Sequence, residues 1–278
     1  MIESQARTRT QAATGGLTLD LTSKRALVCG ASQGIGEAVA RQLAAQGASV
    51  ILLARSAERL GHLQDKLERE GAARPQVLAL DLTDHGRLAE AVGSEISGGG
   101  PVHILVNNAG GPAPGPILEA TPEAFLAGFA AHVLAAHLLA RLLVPGMKEA
   151  RYGRIVNIIS TSAKEPIPNL GVSNTVRGAM AAWAKTLAGE LAPFGITVNN
   201  VLPGYTDTPR LRDLAERTAA RRGQSVEAVL DAWRAVVPIG RFARPEEIAA
   251  AAGFLASPAA SYVTGIHLPV DGGRIASL

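Results

Sequence analysis

Cys29 is the only cysteine in this chain of 278 residues, which excludes an intramolecular disulfide and any multi-cysteine metal site. Aromatic residues are scarce at 4%, and an excess of charge is missing as well: 27 Lys and Arg against 24 Asp and Glu leave a net +3. The basic residues are scattered, Arg221-Arg222 being the tightest pair outside the N-terminus, and no aromatic platform accompanies them. A nucleic-acid partner is therefore not expected, and the mild basic balance suits an anionic cofactor. No uninterrupted apolar run reaches the roughly 20 residues that cross a bilayer. The longest, Phe125 to Val144, contains His132, His137 and Arg141, so it predicts a buried helix and no membrane association. The single cysteine and the absence of a leader-like segment together predict a cytoplasmic protein.

What is present is apolar and aliphatic, 47% of the residues, as suits a sheet covered by helices on both faces. Short Val/Ile/Leu-rich segments predict strands at Ala26–Cys29, Ser49–Ala54, Gln76–Asp81, Ile104–Asn107, Arg154–Ile159, Thr197–Leu202 and Ile266–Val270. Helical patterns separate them at Ile35–Gln46, Ser56–Glu70, Arg87–Glu95, Pro122–Lys148, Val172–Leu191 and Pro245–Ala256. This alternation predicts an α/β fold, a doubly wound parallel sheet of the Rossmann kind, in a single domain over residues 24–278. Residues 1–23 read as a mobile tail. The polar excursion from Tyr205 to Arg241 stands where a substrate lid would stand.

The first strand runs into Gly30-Ala31-Ser32-Gln33-Gly34-Ile35-Gly36 and a helix. Gly30 allows the tight turn, Gly34 lets backbone approach a pyrophosphate, and Gly36 permits close packing of helix on strand. The helix N-terminus then offers N–H groups and positive dipole to phosphates. Taken alone, such a turn is also compatible with an ordinary strand–helix loop. The second strand ends Ala54-Arg55. No acid stands there to bind a ribose 2′-hydroxyl, whereas Arg55 can pair with a 2′-phosphate, so NADP(H) is expected over NAD(H). Arg55 as a solvated surface charge is the alternative.

Further motifs follow in order: Asn107-Asn108-Ala109-Gly110, Ile155-Val156-Asn157-Ile158-Ile159-Ser160, Pro203-Gly204 and Val270-Asp271-Gly272-Gly273. As a set, from Leu21 to Gly273, they resemble the short-chain dehydrogenase/reductase family, especially its 3-oxoacyl-carrier-protein-reductase-like members. The resemblance implies that Ser32, Gly34 and Ile35 lie along phosphates and ribose, and Asp81 and Leu82 beside adenine. It implies Asn107, Ala109 and Gly110 on the nicotinamide ribose side, with Thr208, after Pro203 and Gly204, near the carboxamide.

The same resemblance exposes what is missing. Carbonyl-reducing members use a serine to hold the carbonyl oxygen, a tyrosine to move the proton, a lysine to tune that tyrosine and grip ribose, and an asparagine in a water relay. Here Ser160 keeps the serine slot, but the tyrosine slot is Ser173, the lysine slot Arg177 and the asparagine slot His132. Arg177 keeps the charge without shuttling protons. His132 is the replacement able to titrate near neutral pH, with a buried structural histidine as the alternative. Tyr205, just past Gly204, is a second candidate proton donor. Arg177 and Lys164 together favour an anionic small-molecule substrate. The stretches Gly110 to Pro116, Ala163 to Asn174 and Pro203 to Thr208 resemble reductase-like members that lack the usual tetrad.

Three functions follow: an NADP(H)-dependent oxidoreductase acting on a small carbonyl, alcohol or imine; a non-redox cyclase, dehydratase or isomerase in the same pocket; or a nucleotide-binding protein without catalysis. In the family, helices equivalent to Phe125–Val144 and Ala179–Leu191 meet across a dimer axis, which implies a homotetramer or homodimer.

Overall fold

The computed structural model describes residues 18–277. Most of the expected tail lies outside them. Of the remainder, Leu21 is packed: it is fully buried and its N–H donates to the Gln46 carbonyl at 2.7 Å, while its neighbours are exposed. An apolar leucine placed over a helix end gains more from burial than a solvated tail would, so the folded part begins before Lys24.

Seven strands form one parallel sheet: β1 (Arg25–Cys29), β2 (Ser49–Ala54), β3 (Gln76–Ala79), β4 (Ile104–Asn107), β5 (Gly153–Ile158), β6 (Ile196–Pro203) and β7 (His267–Val270). Their order across the sheet is β3-β2-β1-β4-β5-β6-β7. The chain therefore winds outward in one direction from β1 and then in the other, leaving a crevice between β1 and β4 at the strands' carboxyl ends. Side chains alternate between two buried layers. Ala26 and Val28 pack against α1 (Gly34–Ala45), α2 (Ala57–Arg69) and α9 (Pro245–Ala256). Leu27 and Cys29 face α3 (His85–Gly99), α5 (Ala135–Glu149) and α6 (Gly171–Leu191).

Four sequence expectations are refined. The third strand stops at Ala79 because Asp81 turns the chain, its carboxylate accepting from the Thr83 N–H and hydroxyl at 2.9 and 2.8 Å. The final strand begins at His267 rather than Ile266. The segment predicted as one helix from Pro122 is interrupted: α4 (Pro122–Phe129) passes through a wide π turn at Ala130–Leu134 before α5. This continuous helical stretch is also long and apolar enough to span a bilayer, yet its Ala135, Leu139, Leu143 and Met147 are buried in the core, as in a core helix. The excursion Tyr205–Arg241 folds as α7 (Pro209–Arg222) and α8 (Val226–Ala235), joined through a small core of Ala215, Ala219 and Val229.

Candidate active site

A cleft of about 970 Å³ runs across the strand tips, from the Gly30–Ile35 turn through Ala54 and Arg55, past Ala109 and Gly110, to Ser160, Ser173 and Arg177. The helices α7 and α8 border it with Thr208, Arg222 and Trp233. Gly30 and Gly34 both have positive φ, +63° and +60°, so the turn takes a path that glycine adopts without strain. Gly36 does not line the cleft. A Cβ there would overlap the Gly30 carbonyl oxygen outright and lie 2.6 Å from its carbon. The bare backbone at this turn is what a pyrophosphate needs, and the start of α1 points its free N–H groups at the same space.

At the adenine end, Arg55 is 83% exposed and only 3.9 Å from Asp81, a loose ion pair. Hydrogen bonds from Thr83 hold the Asp81 carboxyl below the ordinary carboxylate range, with Arg55 a minor contributor. Beside them stands Arg59, in the first turn of α2, donating to the Gln33 side chain. Sequence reasoning missed Arg59; its position three residues past the N-cap Ser56 was the available signal.

Asn107 departs from its expected place. Its amide donates to Asn157 at 2.8 Å, Asn157 donates to Asn200 at 2.8 Å, and Asn200 meets His267 Nδ1 at 2.9 Å. These residues face one another in the register of β4, β5, β6 and β7. A buried amide must find partners within the protein, and the sheet supplies them, which withdraws the Asn107 side chain from the cleft. Asn108 lines the cleft instead, and ties β4 to the glycine turn through the Cys29 and Gly30 carbonyls at 3.3 and 3.4 Å. Thr208 caps α7 by accepting from the Leu211 N–H at 3.3 Å. Its methyl group would stand 3.2 Å from a Cβ on Gly34. Thr208 thus closes over the glycine turn itself.

The chemical end holds Ser160, Ser173, Arg177 and Tyr205, all on the cleft wall. The Ser160 hydroxyl accepts from the Ser162 N–H at 3.0 Å, which fixes its oxygen and leaves its proton free to donate. Arg177 is buried, donates to the Ile158 carbonyl at 3.2 Å, and leaves its Nε without a partner among the described residues. Burial, and secondarily Arg210, push its pKa down to about 10, still charged at neutral pH.

His132 is the principal correction. It does not line the large cleft but a cavity of about 10 Å³ beneath it, shared with Asn107 and Arg177. The π turn aims its Nε2 at the Gly110 carbonyl, 3.1 Å away. A carbonyl only accepts, so Nε2 carries a proton. Burial, then the Arg177 charge, lower the pKa to about 3, so His132 does not titrate near neutral pH.

Of the three tyrosines, Tyr152 donates to the Ala256 carbonyl at 2.7 Å and Tyr262 is fully exposed. Tyr205 alone lines the cleft. Its ring stacks on Trp233, centroids 5.2 Å apart, with the Arg274 guanidinium 5.0 Å above it. Burial raises its pKa, with Arg274 and Arg222 opposing, so it remains a protonated donor at neutral pH. Lys164 does not line the cleft; its charge acts on His267 instead.

The Enoyl-(Acyl carrier protein) reductase family model matches residues 30–274. Among curated proteins, the chain is similar to the NADPH-dependent reductase BacG of Bacillus subtilis, 32% identical over 259 residues (93% of this chain, 100% of the relative). It is also similar to the 3-oxoacyl-(acyl-carrier-protein) reductase FabG of Vibrio cholerae, 34% identical over 257 residues (92% and 98%). Among solved structures, L-sorbose reductase from Gluconobacter frateurii, complexed with NADPH and L-sorbose, superposes with a TM-score of 0.88 at 34% identity, covering 94% of this chain and 99% of that one.

Proposed function

This chain belongs to the short-chain dehydrogenase/reductase family, and from that premise we propose that it is an NADP(H)-dependent oxidoreductase of a small carbonyl, alcohol or imine, working with an altered proton-handling set. The observation that carries this reading is the convergence of Ser160, Arg177 and Tyr205 on the same cleft as the glycine turn. NADPH, when bound, supplies a hydride. Ser160 donates a hydrogen bond to the substrate oxygen or nitrogen. Arg177 holds a fixed positive charge at the end of β5 and offers its cleft-lining guanidinium to a ribose hydroxyl, while its buried, unpartnered Nε has room for a water alone. Tyr205 is the phenol available to deliver a proton, and Ser173 adds a second hydroxyl donor. The NADP(H)-dependence of the relatives and the bare glycine turn support the cofactor, and α7 with α8 serve as the lid.

NADPH oxidation across a panel of small ketones, aldehydes and imines tests this reading. Turnover of at least one member is expected, with Ser160→Ala lowering kcat about 10²-fold, as for loss of one oxyanion donor. Tight NADPH binding with no turnover across the panel overturns it.

Arg55 and Arg59 together are proposed to hold the 2′-phosphate. The double substitution Arg55→Ala/Arg59→Ala is expected to weaken NADPH binding roughly tenfold to a hundredfold, the usual worth of a charge-assisted contact. NADH binding should change little. Fluorescence titration with both cofactors checks the difference.

We also propose a homodimer or homotetramer. Leu126 and Leu134 on the α4–α5 stretch are 69% and 50% exposed, apolar surface that a second copy would cover. A monomer at micromolar concentration in ultracentrifugation would refute this.

A further inference from the structure

We infer that the substrate carries a carboxylate or phosphate close to its reacting carbonyl, and that Arg274 and Arg222 hold that anion beside Ser160. The inference rests on the oxidoreductase reading above and names its substrate class. The two ends of the cleft differ in charge. Among the described residues Asp81 is the only carboxylate on the cleft wall; it stands at the adenine end, with Thr83 on its oxygen. The lid end presents Arg210, Arg221, Arg222 and Arg274 with no acidic residue among the lining groups. None of these four, nor Arg177, forms an ion pair among the described residues, whereas Arg212 and Arg234, on the same two lid helices, are paired with Asp207 and Asp231.

Arg274 is placed for the task. Its Nη1 donates to Thr161 Oγ1 at 3.1 Å, and Thr161 directly follows Ser160. Ser160, Thr161 and Arg274 all border the cleft, so an anion on the remaining guanidinium donors stands at the same end of it as a carbonyl held by Ser160. The same guanidinium lies over the Tyr205 ring, which is stacked on Trp233. Those flat apolar faces lower the local dielectric and strengthen a charge-assisted pair. Arg222 approaches from the end of α7, close enough to act on the Tyr205 phenol. As the last residue of α7, Arg222 also favours the helix dipole; that role is satisfied by Arg221 as well and does not require either side chain to border the cleft.

A short oxo acid or a phosphorylated ketone fits this arrangement. A carrier-bound acyl thioester fits less well, since its nearest anion lies many bonds from the carbonyl. The experiment is calorimetric titration of the NADP⁺-saturated protein with matched pairs: pyruvate and methyl pyruvate, acetoacetate and methyl acetoacetate, dihydroxyacetone phosphate and dihydroxyacetone. At least one anion is expected to bind tenfold or more tightly than its neutral twin, and the pair that discriminates tells carboxylate from phosphate. Arg274→Gln should remove most of that preference and Arg222→Gln part of it, with NADPH affinity unchanged. Should Arg274→Gln not fold, Arg222→Gln alone carries the test. Equal or absent binding across every pair, or a preference that survives in the folded variants, overturns the inference. Anion preference without any NADPH oxidation would instead overturn the oxidoreductase reading and leave the anion site standing.

Discussion

Gly36→Ala is expected to weaken NADPH binding by at least about a hundredfold and to destabilise the protein by about 3 kcal/mol or more, the upper range for overpacking. The added methyl meets backbone, which cannot rotate away, at the Gly30 carbonyl carbon 2.6 Å off, and beside it the Asn108 side-chain amide, Nδ2 at 2.7 Å. Gly30 is also tethered, because Asn108 donates to its carbonyl and to that of Cys29. Relief therefore requires the phosphate turn to move as a unit, away from the start of α1. Affinity and stability should fall together, and fluorescence titration with a urea melt measures both. A variant with unchanged NADPH affinity would show that the turn does not bind the cofactor. Gly34→Ala provides a graded comparison. There the added group meets the Thr208 methyl at 3.2 Å on a positive-φ backbone, so a smaller loss is expected.

The second large effect concerns pH. The His132 pKa is lowered to about 3 in the folded chain from the ordinary 6.5, chiefly by burial and then by the Arg177 charge. Between those values the unfolded imidazole binds a proton that the folded one refuses. The unfolded state therefore gains with falling pH, and stability is lost on acidification below about 6.5, levelling near 3. At pH 4.5 this amounts to about 3 kcal/mol, at roughly 1.4 kcal/mol per pH step. Urea unfolding at pH 7 and pH 4.5 should show that loss in the wild type. His132→Asn, which cannot titrate, should lose that much less. An equal pH dependence in both proteins would show that His132 is protonated in the fold. By the same logic, replacing His132 should leave any limb of the activity profile near pH 6.5 unmoved.

The features read correctly from sequence are those whose cause is local. The glycine turn is legible because only certain backbone paths join a strand to a helix over a phosphate, and Gly30, Gly34 and Gly36 mark that path residue by residue. The place of Arg55 on the cleft wall is legible because it directly follows a strand whose tip must lie there, while its pairing with a 2′-phosphate is the proposal. Arg59, three residues later, was open to the same reasoning once Ser56 is taken as the helix cap. The wide turn at Ala130–Leu134 left no mark in the hydrophobic pattern, since inserting one residue into a long apolar helix barely shifts its period. The choice between a titrating and a buried structural His132 stayed open in the sequence for that reason: its meeting with Gly110 and Arg177 depends on that turn, and the structure favours the structural alternative. Asn107 was misplaced because its partners, Asn157, Asn200 and His267, meet it only through the register of four strands far apart in the chain.

The strand and helix segments, the phosphate turn and the residue types Ser160, Ser173 and Arg177 are written in the chain itself, because each depends on neighbours a few residues away or on the residue types present. Which groups line the chemical end of the cleft was decided by folding. Arg274 comes from near the end of the chain, Tyr205, Arg222 and Trp233 from the lid and Ser160 from the turn after β5, and only their packing at one end of the sheet brings a phenol and two guanidinium groups to the same wall. A side chain's charge and proton affinity depend on what is buried beside it, and that is a property of the assembled fold.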